Sequence, residues 1–228
     1  MKILGIANAE TASAVLFDDG KLIAAASEER FTRKKMDESY PHNSIAYVLQ
    51  EGGITKKDID VVSYSWSKGF PEDALSSQFD RILRLGANQK DIFFERLKVE
   101  QASDFPKRDE FWKTISNDPE FENAVIEDFY HHEAHALSAC MMSPYDESAV
   151  LTCDGRGDYE SLTFSHFNKK SNTLKKLYSS NSIDSLGFFY GRITGLLGYT
   201  PCRHEGKITG LAAHGNPLTA KSLMEKMI

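Results

Sequence analysis

Two histidines with the spacing of one helix face are the residues of this sequence best suited to chemistry. His131 and His135 lie four positions apart in the run HHEAH. In a helix this spacing puts both side chains on one face, about 5–6 Å apart at Cβ. Two imidazoles so placed can bind one metal ion, as other HxxxH sites do. A histidine-rich surface turn or a helix cap remains the alternative, although the small apolar residues that follow favour a buried helix start.

A carboxylate that could complete such a site follows a predicted buried strand. The apolar run SAVLTC at 148–153 leads directly into Asp154. Ligands tend to collect at the carboxyl ends of strands in α/β proteins. Two imidazoles and one carboxylate form a nitrogen and oxygen set suited to iron or zinc. The sequence therefore predicts a metal site formed by His131, His135 and Asp154.

The segment DGRGD at 154–158 allows two interpretations. Gly155 and Gly157 would let the backbone approach a phosphate closely. Asp154 or Asp158 could hold a divalent cation that bridges phosphates. An Asp-Gly pair is equally typical of a β-turn between two strands, and the sequence by itself favours that turn.

Three further segments carry weaker signals. The run AETAS at 9–13 has the small residues and hydroxyls of a phosphate cradle. The run EERFTRKK at 28–35 is typical of a solvated surface, although its cations would also suit an anionic substrate. In RHEGKITGLAAHG at 203–215, Gly206 and Gly210 would let a helix pack close to a ligand or, equally well, to a structural neighbour.

The elements that must position these residues follow from apolar periodicity and turn signals. The sequence predicts strands at 2–6, 13–17, 21–27, 61–65, 127–130, 148–153, 161–168 and 175–180, and helices at 42–51, 72–85, 89–101, 133–142, 186–197 and 207–214. Asp19-Gly20 marks a hairpin. A three-stranded meander thus occurs twice, as expected for a two-lobed α/β nucleotide clamp whose polar turns face one cleft.

Bulk composition excludes several classes of protein. A hydrophobic fraction of 41% and a charged fraction of 26% are ordinary for a globular protein. The net charge of −6 argues against a nucleic-acid surface, which needs a basic face. No run approaches the ~18 apolar residues of a membrane span, and the three cysteines suggest no disulfide framework. We expect a cytoplasmic protein that binds neither nucleic acid nor membrane.

In order along the chain, these segments resemble one family, the O-carbamoyltransferases of nodulation-factor and antibiotic biosynthesis. The opening GIANAETASAVLFDDGKLIAAASEERFTRKK carries a signature similar to the family's E-E-R-F-[ST]-R. HHEAHALSA resembles its H-H-x-x-H-A-x-S-A motif, and SAVLTCDGRGD resembles its second phosphate-loop strand. GFFYGRITGLLGYTPCRHEGKITGLAAHG resembles a later segment that contains E-G-K-x-x-G-L-A-x-x-G. The resemblance touches most of the chain except 68–123.

The resemblance implies a ribonuclease-H-like, actin-like ATPase fold. Residues 1–146 would form the first lobe, with a helical insertion at about 68–123, and residues 147–228 the start of a truncated second lobe. The fold is shared more distantly with the threonylcarbamoyl-transfer enzymes of tRNA modification. The family's smaller carbamoyl-phosphate domain would lie outside these residues, so we expect the 228 residues alone to be inactive.

The resemblance also implies a reaction and its ligands. In the family, Fe²⁺ is bound by the residues that correspond to His131, His135 and Asp154, with a further aspartate expected beyond residue 228. Carbamoyl phosphate and ATP with Mg²⁺ give a carbamoyl-adenylate and pyrophosphate, and the carbamoyl group passes to a hydroxyl of a small metabolite. The expected partners are these small molecules, with a homodimer as a further possibility. The expected cofactor-binding residues are Ser13, Arg33, Gly155, Gly157, Glu205, Lys207 and Gly210.

Two departures from the family pattern bear on catalysis. The family has His-Asp-Ala-Ser where this chain has Glu10-Thr11-Ala12-Ser13, and Lys-His-Asp where this chain has Lys35-Met36-Asp37. Glu10 and Lys35 are the candidate catalytic residues, and Glu10 would need burial to raise its pKa if it acts as a base. The alternatives are a non-catalytic nucleotide- and metal-binding module, which Glu10 favours, and a sugar-kinase-like phosphotransferase, which explains HHEAH poorly.

Overall fold

The chain folds into two sheets and seven helices over the residues that the computed structural model describes, 1–8, 11–68, 83–84 and 86–226. The strands are β1 (Lys2–Ala7), β2 (Ser13–Asp18), β3 (Lys21–Ser27), β4 (Val61–Tyr64), β5 (Val125–Asp128), β6 (Glu147–Gly157), β7 (Glu160–Asn168) and β8 (Thr173–Asn181). The helices are α1 (Glu29–Thr32), α2 (His42–Gly52), α3 (Ala87–Ser116), α4 (His131–Met142), α5 (Leu186–Leu196), α6 (Glu205–Ala212) and α7 (Lys221–Met224).

The first sheet is mixed, with the strand order β3-β2-β1-β4-β5. Strands β1, β2 and β3 pair antiparallel, whereas β4 pairs parallel with β1 and β5 parallel with β4. Asp19 and Gly20 between β2 and β3 have φ of 46° and 77°. Positive φ at both central residues is the mark of a type I′ turn, which confirms the predicted hairpin. The parallel strands bring the carboxyl ends of β1, β4 and β5 to one edge.

One apolar core fixes two helices to this sheet. Leu4, Leu16 and Val62 cluster with Val48 of α2 and Phe111 of α3. The predicted helix at 42–51 is confirmed as α2, and its apolar residues at i, i+3 and i+4, Ile45, Val48 and Leu49, all belong to this core. Burying such side chains contributes about 1.5–3 kcal/mol each, so the core holds the carboxyl edge of the sheet in place.

Helix α3 is longer than the sequence predicts. The expected helix at 89–101 lies within a 30-residue helix that contains Pro106 and continues to Ser116. Its last turns are held by Phe111, whose ring stacks on that of Tyr64 at 3.7 Å between centroids. Tertiary burial here outweighs the local helix-breaking tendency of proline. The other predicted helix, 72–85, lies outside the described residues except for the helical positions 83–84.

The second sheet is an antiparallel meander in the order β6-β7-β8. Ala136 and Cys140 of α4 pack against Val150 and Phe167 of this sheet. The favoured interpretation of Asp-Gly at 154–155 as a turn is wrong, because β6 continues to Gly157 with a register irregularity after Cys153. A bulge of this kind re-aims side chains without ending the strand. The chain reverses instead at 158–159, where both residues have positive φ.

Other predicted boundaries shift by a few residues. Helix α4 begins at His131, two positions before the predicted start, so that both histidines lie within it. Helix α6 begins at Glu205 and ends at Ala212, where the sequence predicts 207–214. Among the described residues, no helix combines the length and apolarity needed to cross a membrane.

Candidate active site

A cleft of about 990 Å³ opens between the two sheets. One wall is formed where β1 and β4 end, at Asn8 and Tyr64, and the other by Asp154 and the first turn of α5. Asn8 is buried, and its side-chain oxygen accepts a hydrogen bond from the Tyr64 hydroxyl at 2.7 Å. The carboxyl ends of parallel strands are the usual place for ligands in α/β sheets.

His131, His135 and Asp154 meet in this cleft. Nε2 of His131 lies 2.9 Å from Oδ2 of Asp154 and 3.0 Å from Nε2 of His135. Nε2 of His135 lies 3.5 Å from the same carboxylate oxygen. Metal–ligand bonds of about 2.0–2.1 Å separate neighbouring ligand atoms by about 3.0 Å at right angles and about 3.4 Å at the tetrahedral angle. The three donor atoms therefore have the mutual spacing of ligands around one ion.

Local contacts prepare the carboxylate for this arrangement. Oδ1 of Asp154 accepts the N–H of Gly155 at 2.6 Å, which leaves Oδ2 directed at the imidazoles. Burial opposes the ionisation of Asp154, but the hydrogen bonds from His131 and His135 outweigh it and hold the pKa of this carboxyl well below its ordinary value. The contact with Asp154 also raises the pKa of His135. The site concentrates negative charge beside two ring nitrogens, which is the donor chemistry that a divalent iron or zinc ion requires.

The middle histidine of HHEAH has a different environment. His132 is buried, with Nδ1 at 2.7 Å from the Thr152 hydroxyl and Nε2 at 3.1 Å from the Glu160 carbonyl. Burial lowers the pKa of His132. Its ring thus links α4 to β6 and β7 while its two neighbours in the motif face the cleft.

Some of the predicted cofactor-binding residues line the cleft. Ser13, Gly155 and Glu205 are among its lining residues. Glu205, the first residue of α6, accepts the N–H of Cys202 at 2.7 Å and so shapes the far wall. Gly155 packs beneath α5, since a Cβ on Gly187 would come within 2.9 Å of the Gly155 Cα.

Other predicted residues lie elsewhere, judged on the described part of the chain. Arg33, Lys35, Lys207, Gly157 and Gly210 are not among the residues that line the cleft. The exposed Lys35 pairs with Glu29 at 3.1 Å, and the Lys207 ammonium lies 5.9 Å from the Tyr199 ring.

The surroundings of Gly210, Gly157 and Asp158 differ from one another. A Cβ on Gly210 would meet no described atom within 4 Å, so α6 does not pack closely against a described neighbour at this position, and an approach to a ligand stays a prediction. Gly157 packs against the His131 ring. Asp158 is buried in an ion pair with Arg108, so it is no longer a candidate for holding a cation that bridges phosphates. Glu10 lies outside the described residues.

The charged run at 28–35 is not a simple solvated surface. Glu28 is buried, and its carboxylate accepts hydrogen bonds from the backbone and side chains of Asn43 and Ser44 at the start of α2. Asp37 is held by the hydroxyls of Ser39 and Thr32, and these bonds lower its pKa to about 2. Glu28 and Asp37 therefore anchor the chain that leads to Glu38 at the border of the cleft.

Sequence reasoning missed several residues that line the cleft. Trp66 lies two residues after the end of β4, and Lys107 and Arg108 come from α3, in the region interpreted as an insertion. The ammonium of Lys107 pairs with Glu38 at 2.5 Å across the cleft mouth. A tryptophan directly after a predicted strand was an available signal, whereas nothing local marks the two cations of a long polar helix.

The sequence of this chain matches a known protein family. Residues 2–227 match the family described as Carbamoyltransferase N-terminus. The chain belongs to this family. The match confirms the resemblance drawn from the ordered motifs, and it includes the region 68–123 that those motifs left uncovered.

Relatives of known sequence agree with this assignment. Nodulation protein NolNO of Sinorhizobium fredii is 31% identical over 94% of this chain and 29% of its own length. An uncharacterized protein of Synechocystis sp. is 32% identical over 99% of this chain and 37% of its own. An uncharacterized protein of Methanocaldococcus jannaschii is 32% identical over 93% of this chain and 33% of its own length. The chain thus spans about a third of the length of these relatives.

Solved structures give only a slight likeness. YeaZ from Pseudomonas aeruginosa is 12% identical and covers 79% of this chain and 68% of its own, with a TM-score of 0.35. The mixed α/β architecture follows from the strand order and pairing described above.

Proposed function

We propose that this chain forms the nucleotide- and metal-binding part of an O-carbamoyltransferase, built from one actin-like lobe and the start of a second. Its substrates are ATP, carbamoyl phosphate and a small metabolite with a hydroxyl group. The observation that carries the proposal is the convergence of His131, His135 and Asp154 on one point of a cleft between two sheets, in a chain of the carbamoyltransferase family.

The three converging side chains would hold Fe²⁺ or another divalent ion. Such an ion supplies Lewis acidity toward a phosphate or carbonyl oxygen when bound. Around it, the chain offers Arg156, whose guanidinium lies 5.6 Å from the Phe188 ring at the cleft wall. A guanidinium there would bind phosphate oxygens in a fork of hydrogen bonds, and the ring of Phe188 would hold it in place.

The proposed reaction consumes ATP to AMP rather than to ADP. Water first cleaves carbamoyl phosphate to carbamate and phosphate. A carbamate oxygen then forms a bond to the α-phosphorus of ATP, and the bond from that phosphorus to the bridging oxygen breaks as pyrophosphate leaves. The acceptor hydroxyl then attacks the carbamoyl carbon, loses its proton, and AMP leaves as the carbamate ester forms. Two polar residues line the cleft, Asn8 directly after β1 and Ser13 at the start of β2, and their side chains can orient these phosphates.

Metal content provides the first test of the site. His131→Ala, His135→Ala and Asp154→Asn should each lower the amount of Co²⁺ or Fe²⁺ retained after gel filtration, because each removes one of three donors. His166→Ala is the matched control, since His166 pairs with Glu147 on the exposed face of the second sheet. Equal metal content in the parent and all three site variants would contradict the proposed centre.

Nucleotide products separate the transferase from its alternatives. Carbamoyl-phosphate-dependent release of AMP and pyrophosphate from ATP should be measured on the longest gene product that carries these residues. Release of ADP would instead indicate a phosphotransferase, and metal and nucleotide binding without turnover would indicate a non-catalytic module.

A further inference from the structure

A buried ion pair lies directly behind the metal-ligating histidine. Nη1 of Arg108 is 2.7 Å from Oδ1 of Asp158, and the two side chains are 6% and 2% exposed. Ser67 donates its hydroxyl to the same carboxylate oxygen at 2.9 Å. A buried pair of this kind is not stabilising in itself, because the desolvation of both charges offsets most of their attraction. Its position therefore needs another reason.

The second oxygen of Asp158 reaches the helix that carries the ligands. Oδ2 accepts the backbone N–H of His131 at 2.7 Å. His131 is the first residue of α4, and Tyr130 before it provides no side-chain cap. The first N–H groups of a helix lack partners within the helix and favour a nearby negative charge. Asp158 thus caps α4 from a distant part of the sequence and fixes the backbone of His131.

The same pair controls the ring of His131 through one aromatic side chain. The Arg108 guanidinium lies 4.6 Å from the Trp66 ring, and the Trp66 ring lies 4.3 Å from that of His131. The His131 ring also meets Gly157, where a Cβ would come within 2.1 Å of Cδ2. The imidazole is therefore in contact with both an indole and a strand backbone.

The ring of His131 is oriented by packing, where many metal sites orient a histidine by a hydrogen bond. Metal-ligating histidines usually donate their second ring N–H to a carboxylate or carbonyl, which orients the ring. Nδ1 of His131 is buried and has no hydrogen-bond partner among the described residues. The contact of Nε2 with Asp154 is then supported by the tilted Trp66 ring and by the anchored backbone N–H.

From these contacts we infer that Arg108, Asp158 and Trp66 are positioning residues that preorganise His131 for metal binding. The inference rests on the proposed metal centre and extends it to α3, since Arg108 comes from that helix. Asp158 is not a ligand in this arrangement, because both of its oxygens are engaged. Replacing it should weaken metal binding without removing the site.

Co²⁺ affinity, measured by chelator competition on the intact chain, tests the inference. Asp158→Asn, and the double variant Arg108→Gln with Asp158→Asn that leaves no unpaired buried charge, should each bind Co²⁺ about 10- to 100-fold more weakly. Both should still bind one ion at saturation, with a changed Co²⁺ visible absorption spectrum. Trp66→Ala should weaken binding similarly, and the conservative Trp66→Phe should restore most of that loss.

Each outcome separates positioning from a purely structural role. Parent affinity and spectrum in the folded variants, together with a lowered melting temperature, would overturn the inference while leaving the metal centre intact. If the Asp158 variants do not fold, equal affinity of Trp66→Ala and Trp66→Phe would overturn it in the same way. Absence of Co²⁺ binding by the parent would overturn the metal centre and this inference together.

Discussion

Gly157 lies so close to the imidazole of His131 that a Cβ built on residue 157 would come within 2.1 Å of the ring atom Cδ2. Atoms of the His131 side chain also account for the next two nearest contacts, at 2.4 Å and 2.6 Å. Glycine is thus required at the end of β6 for space, because any side chain would displace the ring of His131, which we propose as a metal ligand. The role of Gly157 toward a phosphate stays a prediction.

Gly157→Ala should therefore lower both stability and metal affinity. Overpacking of a closely packed site costs about 1–3 kcal/mol in the free energy of unfolding, and the displaced ring moves Nε2 away from Asp154. Urea unfolding and Co²⁺ titration would measure the two effects. Gly206→Ala in α6 is the control, since a Cβ there meets no described atom within 4 Å. If both variants behave alike, close contact at 157 is not what requires glycine.

Phe111→Ala should detach α3 from the first sheet. The Phe111 ring is fully buried and lies parallel to that of Tyr64, with an interplanar angle of 6°. Truncation of a buried phenylalanine costs about 3–5 kcal/mol, so the midpoint of chemical unfolding should fall sharply. Phe94→Ala on the same helix should change it little, because Phe94 is 46% exposed. An equal loss in both variants would indicate that α3 is not anchored through Phe111.

Glu28 should make stability depend on acid pH. Burial raises the pKa of Glu28, but four hydrogen bonds from Asn43 and Ser44 lower it by more, so the folded-state pKa lies below the ordinary value of 4.5. The unfolded chain then binds this proton first as the pH falls. Stability from Glu28 is complete above pH 4.5 and is lost as the pH falls through the folded-state pKa.

Glu28→Gln measures that contribution directly. At neutral pH the variant should lose about 1.5–3 kcal/mol, the range for hydrogen bonds to a charged group. Denaturant unfolding at several pH values should show the gap from the parent shrinking below pH 4.5. Glu51→Gln, on the exposed side of α2, the helix whose first residues bond Glu28, should stay within about 0.5 kcal/mol of the parent. A gap that stays constant with pH would contradict the linkage.

His132→Ala should destabilise the chain without removing a metal donor. Its loss leaves the buried Thr152 hydroxyl with one partner fewer and opens space between α4 and the second sheet. Each lost hydrogen bond costs about 0.5–1.5 kcal/mol, and the cavity adds to this cost, which thermal unfolding would detect as a lower melting temperature. His135→Ala, at a position that is half exposed, should cost far less stability but lose metal. The reverse ranking would show that the roles within HHEAH are misassigned.

Local sequence was enough to predict most of the elements. Period-two and helical apolar patterns found the meander of β1 to β3, helix α2 and strands β6 to β8, because each buries a regular face. The extent of α3 could not be predicted this way, since it has a proline inside and its apolar residues do not gather on one helix face. The end of β6 was misjudged because its bulge and its turn at 158–159 depend on pairing with β7.

The sequence by itself determined the family, the residue types at 131, 135 and 154, and most of the helix that carries the two histidines, although the start of that helix at His131 came from the structure. Only the tertiary structure decided that Asp154 meets both imidazoles while Asp158, four residues later, turns away into an ion pair with Arg108. The physical reason is that the direction of a side chain beside a bulge is fixed by strand pairing and burial. Strand pairing and burial involve residues far apart in the chain, so the local sequence around Asp154 and Asp158 does not reveal them.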